Sequence, residues 1–293
     1  MHCKSFHMLY PTFNGFLSYY FIKNEFVIKL AQFKKRAYMK IASWNVNSLK
    51  VRLEHVLQWC GENSPDVLAI QETKLKDENF PEKEITDAGF HVVYSGQPTY
   101  NGVAIISSSP ASDVVTDIEG LDDPQRRILA ATIDDIRVIN LYVVNGKEPG
   151  SDKFTYKMNW LSKVTEFIES QMQDYENVVV LGDFNIAPDD RDVHDPIYWK
   201  NKILCTDDER QKLNDILDLG FDDSFRLMHD EAGFYSWWDY RMGGFQRNMG
   251  LRIDLILTSE TMSEMLTSAY IDVEPRKWER PSDHTPVVAE FDY

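Results

Sequence analysis

The sequence predicts one α/β domain from Met39 to Tyr293, and three observations lead there. Short runs rich in Val, Ile and Leu recur along these residues with turn residues nearby. Stretches with apolar steps of three or four separate several of them. No Pro/Gly/Ser-rich linker divides the region.

The strands are expected at Lys40–Val46, Asp66–Gln71, Gly102–Ser107, Ile136–Val144, Asn177–Gly182, Ile253–Thr258 and Thr285–Phe291. Between them, Phe154, Met158, Leu161, Val164, Ile168 and Met172 form one apolar stripe, which predicts an amphipathic helix over Lys153–Gln173. Asp208–Leu219 has the same pattern and ends at Gly220, a natural helix stop. Residues 1–38 differ in kind. They are aromatic and basic, with Lys4, Lys23, Lys29, Lys34, Lys35 and Arg36 against Glu25. The apolar run from Phe16 to Ile22 is too short to span a bilayer, and no small-residue cleavage site follows it. They are expected to be an N-terminal extension of doubtful role, with the working domain over 39–293.

Three cysteines, widely separated and without a CxxC pair, suggest neither a disulfide framework nor structural zinc. A reducing, cytoplasmic setting is expected. The net charge of −16 disfavours non-specific adhesion to a polyanion. Either the substrate is not a polyanion, or acidic groups gather at a metal while basic ones cluster on one face.

Polar residues stand where apolar strands end, and loops at strand ends carry function on a rigid scaffold. The places are Trp44-Asn45-Val46-Asn47, Ile70-Gln71-Glu72, Leu181-Gly182-Asp183-Phe184-Asn185, Arg252-Ile253-Asp254 and Ser282-Asp283-His284. Glu72, Asp183 and Asp283 offer the oxygen ligands that a hard cation such as Mg²⁺ takes, with Asn45 and Asn185 as neutral partners. His284 can move a proton or contact a phosphate, and a carboxylate such as Asp254 can fix its tautomer. The set suits metal-assisted hydrolysis of a phosphate ester. GxSxG, HExxH and GxxxxGK[ST] are all missing. Each piece also has a plainer reading: GDFN as an Asx turn, QET as a helix cap, Asp with His as a structural hydrogen bond, and Trp237 and Trp238 as core.

Taken together the segments KIASWNVNSLKVR, LAIQETKL, YNGVAIIS, INLYVVNG, VVLGDFNIAP, YSWWDYR, GLRIDLIL and PSDHTPVV resemble the exonuclease III family of AP endonucleases, within the endonuclease/exonuclease/phosphatase superfamily. GDFN and SDHxP mark only the superfamily, whereas INLYVVNG and SWWDYR with GLRIDLIL are narrower. The resemblance implies a four-layer α/β sandwich with two central mixed β-sheets flanked by helices. It implies cleavage 5′ to abasic sites in duplex DNA, with 3′-to-5′ exonuclease and 3′-end-cleaning activity.

By the same resemblance Glu72 is the main metal ligand, with Asn45, Asp183, Asn185, Asp283 and His284 around it. Mg²⁺ is the implied cofactor and Mn²⁺ its alternative. Asp183 would orient and deprotonate the attacking water, with His284 as the alternative base and one metal or two at work, Asn185 would stabilise the charged phosphorane-like state, and Asp283 would complete the metal-side carboxylates. His284, held by Asp254, and Tyr142 would contact the phosphate. Trp237, Leu251 and Ile253 would wall a pocket for the extruded abasic sugar, which lacks stacking and pairing. Arg126, Arg127, Trp238, Arg241 and Arg252 are the expected DNA contacts, in a basic rim with Arg247, Lys50, Arg52, Lys74 and Lys76. The implied partner is double-stranded DNA with abasic sites or blocked 3′ ends, met by a monomer without a membrane. Asn47 departs from the pattern, since some relatives carry Asp there. The competing readings are a superfamily hydrolase acting on a lipid, an inositol phosphate or RNA, and a non-catalytic nucleic-acid-binding protein on the same fold.

Overall fold

The computed structural model describes residues 38–121 and 123–293, together with the backbone of a short hairpin, β1 (Tyr20–Ile22) and β2 (Glu25–Val27). The chain divides into two compact units, Met1–Ala37 and Tyr38–Tyr293. The reading of residues 1–38 as an extension falls almost wholly outside the described residues.

The second unit contains β3 (Tyr38–Asn45), β4 (Val67–Gln71), β5 (His91–Ser95), β6 (Val103–Ser107), β7 (Ser112–Val115), β8 (Ile128–Ile133), β9 (Ile136–Tyr142) and β10 (Val178–Asp183). These are followed by β11 (Phe221–Asp223), β12 (Trp237–Trp238), β13 (Gly250–Leu251), β14 (Asp254–Ser259), β15 (Leu266–Ile271) and β16 (Val287–Asp292). They form two six-stranded sheets, ordered β15-β16-β3-β4-β6-β5 and β11-β14-β10-β9-β8-β7, with β12 and β13 as a separate ribbon. Each sheet is antiparallel except for one central parallel pair, β3 with β4 and β10 with β9. The two sheets therefore share one plan, although the sequence carries no repeat at a fixed period.

Two layers of helix cover the sheets. The helix Leu49–Asn63 buries Leu49, Val56, Trp59 and Cys60 in one apolar cluster with Trp44, Leu68, Ile70, Ala104 and Ile106. The helix Asp152–Asp174 buries Trp160, Leu161, Val164 and Ile168 in another with Ile139, Val178 and Val180. Between the sheets, Ile41, Val67, Ala69, Val103, Leu129, Val138, Val179, Leu181 and Ile256 form a third cluster. Central strands are covered on both faces, so they read as unbroken apolar runs instead of alternating patterns. This is the expected four-layer α/β sandwich.

The expected strands lie within one or two residues of their observed bounds. The second helix ends at Leu217, ahead of Gly220, because its last turn closes on Asp218. The helix Leu49–Asn63 and strands β5, β7, β8, β11 and β15 lie outside the expected elements. β7 is exposed along most of its length at a sheet edge, so its sequence has no buried face to show. Cys60 and Cys205 are buried free thiols. Among the described residues no helix is long and apolar enough to cross a membrane.

Candidate active site

The carboxyl ends of both parallel pairs point into one place. β3 ends in Asn45, β4 runs into Glu72, β9 ends in Tyr142 and β10 ends in Asp183. From the neighbouring antiparallel strands, β14 begins at Asp254, paired in register with Asp183, and β16 begins just beyond His284. Residues separated by more than two hundred positions meet because each sheet brings the ends of its central strands to the same edge.

Local geometry repeats across the two sheets. In Asn45-Val46-Asn47 the backbone N–H of Asn47 donates to Asn45 Oδ1 at 3.0 Å, and in Asp183-Phe184-Asn185 that of Asn185 donates to Asp183 Oδ1 at 2.9 Å. Both are Asx turns, and Asn47 and Asn185 both take left-handed backbone angles, φ 44 and φ 49, which asparagine tolerates better than most residues. Gly182 is required by a different contact: a Cβ there would lie 1.9 Å from the Leu141 carbonyl oxygen of β9. The SDH segment is strapped down from two sides. Trp44 Nε1 donates to the His284 carbonyl at 3.3 Å and Ser282 Oγ to that of Asn45 at 2.7 Å. The Trp238 N–H bonds the Asp283 carbonyl at 3.0 Å.

Glu72, Asp183 and His284 each present one ligand atom, and the three atoms lie within 4.8 Å of one another. Asn45 Nδ2 bridges two of these residues, donating to Glu72 Oε1 and to Asp183 Oδ2, each at 2.9 Å. Its oxygen is taken by the Asn47 N–H, so Asn45 holds the carboxylates and turns its nitrogen toward them, where the sequence reading had it among the metal ligands. Asn185 does the same: its Nδ2 donates to Asp183 Oδ2 at 3.1 Å and to the Val143 carbonyl at 3.1 Å, while its oxygen accepts from Asn145. Asp283 lies outside the three-residue group. Asn47 Nδ2 at 2.8 Å and Trp237 Nε1 at 3.1 Å occupy its two oxygens. Lys74 Nζ sits 2.8 Å from Glu72 Oε2, and Tyr142 donates its hydroxyl to Glu72 Oε1 at 2.9 Å.

His284 is 4% exposed. Its Nδ1 lies 2.9 Å from Asp254 Oδ2, an oxygen that also accepts from Ser236 Oγ at 2.6 Å. A carboxylate can only accept, so Nδ1 carries the proton of that bond. Nε2 is left facing Asp183 Oδ2, 3.8 Å away. Burial by itself would discharge the imidazole, but Asp254 and Asp183 outweigh it and raise its pKa to about 10. Asp183 is raised to about 7, because its burial exceeds the help it receives from His284. Burial also pushes on Glu72, yet the Lys74 ammonium and the bonds from Lys74 and Asn45 prevail and hold it below the usual carboxylate range. The Tyr142 phenol, buried and beside Glu72, is raised well above its ordinary value.

This donor set fits a hard divalent cation. Two carboxylates from different sheets face one point, one of them anionic at neutral pH and the other held near neutrality by burial. A cation between them would relieve the Asp183 carboxylate, and there is no thiolate to favour a softer ion.

The outer ring differs from the sequence reading in several places. Arg252, read as a DNA contact, is 1% exposed and locked between Asp192 and Asp223 at 2.6 and 2.7 Å. Trp238 is buried, edge-on to Phe245. Arg127 is buried over the Tyr142 ring and donates to the Tyr142 carbonyl. Arg126 is half-buried and pairs with Asp117, while Arg241 is exposed. Of the expected sugar pocket, Trp237 is half-buried at the site, whereas Leu251 and Ile253 are fully buried in a cluster with Ala187, Val193, Leu204 and Cys205. A cavity of about 180 Å³ opens beside that cluster, sharing Val193 and Cys205 with it and lined also by Trp199 and Arg210; none of the carboxylates of the site reaches it. Sequence reasoning missed Ser236, whose one signal was its place in SWW, and read Lys74 only as part of the basic rim; Asn47, set apart by its departure from the family pattern, holds Asp283.

Residues 42–284 match the endonuclease/exonuclease/phosphatase family. Exodeoxyribonuclease III of Haemophilus influenzae is 33% identical over 86% of this chain and 100% of its own. Among solved structures, a 3′ phosphatase from Neisseria bound to a product DNA hairpin is 51% identical with a TM-score of 0.86, covering 87% of this chain and all of that one. An AP endonuclease from Archaeoglobus fulgidus is 39% identical with a TM-score of 0.84 and the same coverage.

Proposed function

Because this chain belongs to the endonuclease/exonuclease/phosphatase family, we propose that it is a Mg²⁺-dependent DNA-repair phosphodiesterase, working as a monomer, that incises duplex DNA 5′ to abasic sites and clears blocked 3′ ends. The observation that carries this is the meeting of Glu72, Asp183 and His284 within 4.8 Å of one another, with Asp254 fixing the imidazole. Mn²⁺ would serve the same ligands.

Hydrolysis of a phosphodiester builds negative charge on the phosphate oxygens, and groups already oriented toward that charge stabilise it without reorganising. Glu72 and Asp183 would hold the cation, which when bound supplies charge neutralisation at the phosphate, with His284 beside them as a donor. His284 presents a charged N–H from Nε2 at neutral pH, fixed in direction by Asp254 and Ser236. Tyr142 remains a phenol over the whole working range and so acts as a donor. Asp183, raised to about 7, is matched to accepting a proton from water near neutrality. Asn185 and Asn45 keep that carboxylate turned toward the site. The test is a duplex carrying one tetrahydrofuran abasic analogue, with Mg²⁺ and with EDTA. Incision in Mg²⁺ alone is the expected result; hydrolysis of an inositol phosphate or a lipid in its place would reject the assignment.

A second reading, in which 3′-end processing dominates over internal incision, is favoured by the packing of Leu251 and Ile253. With both sealed among Leu204 and Cys205, Trp237 alone is left to meet an extruded sugar. The 51% identity with the Neisseria 3′ phosphatase points the same way. Relative rates on the internal analogue and on a nick ending in a 3′ phosphate decide between the two.

A further inference from the structure

The metal-side group spans two sheets: Glu72 and His284 belong to one, Asp183 to the other. Its geometry therefore depends on how the sheets are set against each other. Over most of their contact the gap is filled by aliphatic side chains. Such contacts have no direction and tolerate small slides.

The layer immediately under the site is different. Along β9 the inward positions run Val138, Asn140, Tyr142, and along β4 they run Val67, Ala69, Gln71. Gln71 Nε2 donates to Asn140 Oδ1 at 2.8 Å across the gap and lies 3.0 Å from Ser43 Oγ of β3. Asn140 Nδ2 in turn donates to the backbone carbonyls of Ile70 at 3.1 Å and Ala104 at 3.0 Å. Those carbonyls are open to it because Ile70 and Ala104 send their side chains to the helix-covered face. Ser43, Gln71 and Asn140 are all 0% exposed. Gln71 adjoins Glu72 in sequence, and Asn140 stands one inward step before Tyr142.

We propose that Asn140, through its bonds to Gln71 and to the Ile70 and Ala104 carbonyls, is a positioning residue that registers the two sheets and so fixes Glu72 against Asp183 and Tyr142. Three directional bonds from one amide set the offset of the sheets at the level where the ligating side chains leave them. Stability alone does not call for this cluster. Gln71 Oε1 finds no protein donor, and replacing both members of a buried polar pair by apolar groups of like shape is nearly neutral. Catalysis does call for it, since a misplacement of about 1 Å at a hydrolytic centre lowers rate on the order of a hundredfold.

The proposal rests on the reading of the site as a metal-dependent phosphodiesterase centre, and its test separates the two. Asn140→Leu and, as a control in the apolar part of the same gap, Val138→Ala are compared with the wild type. The measurements are steady-state hydrolysis of the abasic-analogue and 3′-phosphate duplexes, Mn²⁺ affinity of the protein alone by titration calorimetry, and melting temperature. Asn140→Leu is expected to lower kcat by thirtyfold or more with KM within threefold, and to weaken Mn²⁺ binding about tenfold. Val138→Ala is expected to lose melting temperature yet keep kcat and Mn²⁺ affinity within threefold. A folded Asn140→Leu protein with wild-type kcat and Mn²⁺ affinity overturns the proposal, as does a Val138→Ala protein that loses both as severely. Should Asn140→Leu not fold, Asn140→Ser carries the same expectations. A wild-type protein inert on DNA defeats the functional reading instead; equal Mn²⁺ affinities in wild type and variant then overturn the clamp on their own.

Discussion

Asp183 is the residue on which two requirements collide. A carboxylate buried away from water destabilises the fold once it ionises unless its partners make up the loss, and this one is raised to about 7. The unfolded chain ionises at the ordinary carboxylate value, so the penalty starts there, grows as pH rises and is complete above about 7. Asp183→Asn is therefore expected to melt several degrees higher than the wild type at pH 8 without metal, with a smaller gain at pH 5. The same variant should bind duplex DNA and hydrolyse it at least a hundredfold more slowly, which filter binding and a gel assay would check. If Asp183 takes the proton of the attacking water, kcat/KM must climb between pH 6 and 8, and the rise should move to lower pH as Mg²⁺ saturates the site. A flat profile would remove Asp183 from that role. At this scale the sequence was informative where a motif ties chemistry to a strand end, as in GDFN and SDH. It was silent about Arg252, because the aspartates that bury it lie far away along the chain, while for Trp238 the plainer reading as core is the one the packing on Phe245 bears out.

Among elements, the helix Asp152–Asp174 carries a lysine on its buried face. Lys157 Nζ bonds the Asn185 carbonyl at 2.7 Å and forms a fully buried ion pair with Glu209, and both side chains are 0% exposed. Glu209 is also the capping-box partner of Thr206, at the start of the helix Asp207–Leu217. One ion pair thus ties two helices to the turn behind Asp183. Removing a single partner strands a buried charge, so Lys157→Met is expected to lose about 3–5 kcal/mol in urea unfolding. Lys157→Met with Glu209→Gln should recover most of that, since the glutamine keeps the cap and no charge is left alone; additive losses would contradict the account. The periodic stripe foretold this helix but not its lysine, for a cation within an apolar stripe reads as a face boundary until its partner is known. Likewise Gln71 and Asn140 look like ordinary interruptions of apolar strands, and only pairing across the gap gives them a purpose.

For the molecule as a whole, the net charge of −16 means that the body repels its substrate and relies on a few local cations. Arg241 stands exposed beside the buried Trp238, whereas Arg252 and Arg127 are spent on internal partners. Arg241→Ala is expected to raise KM for duplex DNA several-fold with kcat unchanged, and to reduce the slope of log KM against log salt by about one unit. An unaltered salt slope would move the DNA contact elsewhere. Chelation by EDTA should abolish turnover while far-ultraviolet dichroism stays as it was, because the sheets close on apolar surface and not on an ion. The α/β class was legible from strand runs and the helical stripe, and the four-layer arrangement from the family resemblance alone. The equivalence of the two sheets was not, since it lies in strand order alone.

That strand order also governs when activity can begin. β3 comes first in the catalytic unit, yet its neighbours are β4 and β16, the last strand, and Asp283 and His284 arrive only just ahead of β16. During synthesis one flank of β3 would stay unpaired until β16 has emerged. A chain cut short before that point would lack His284 and the strand that seats it, so the site is completed only when β16 pairs with β3.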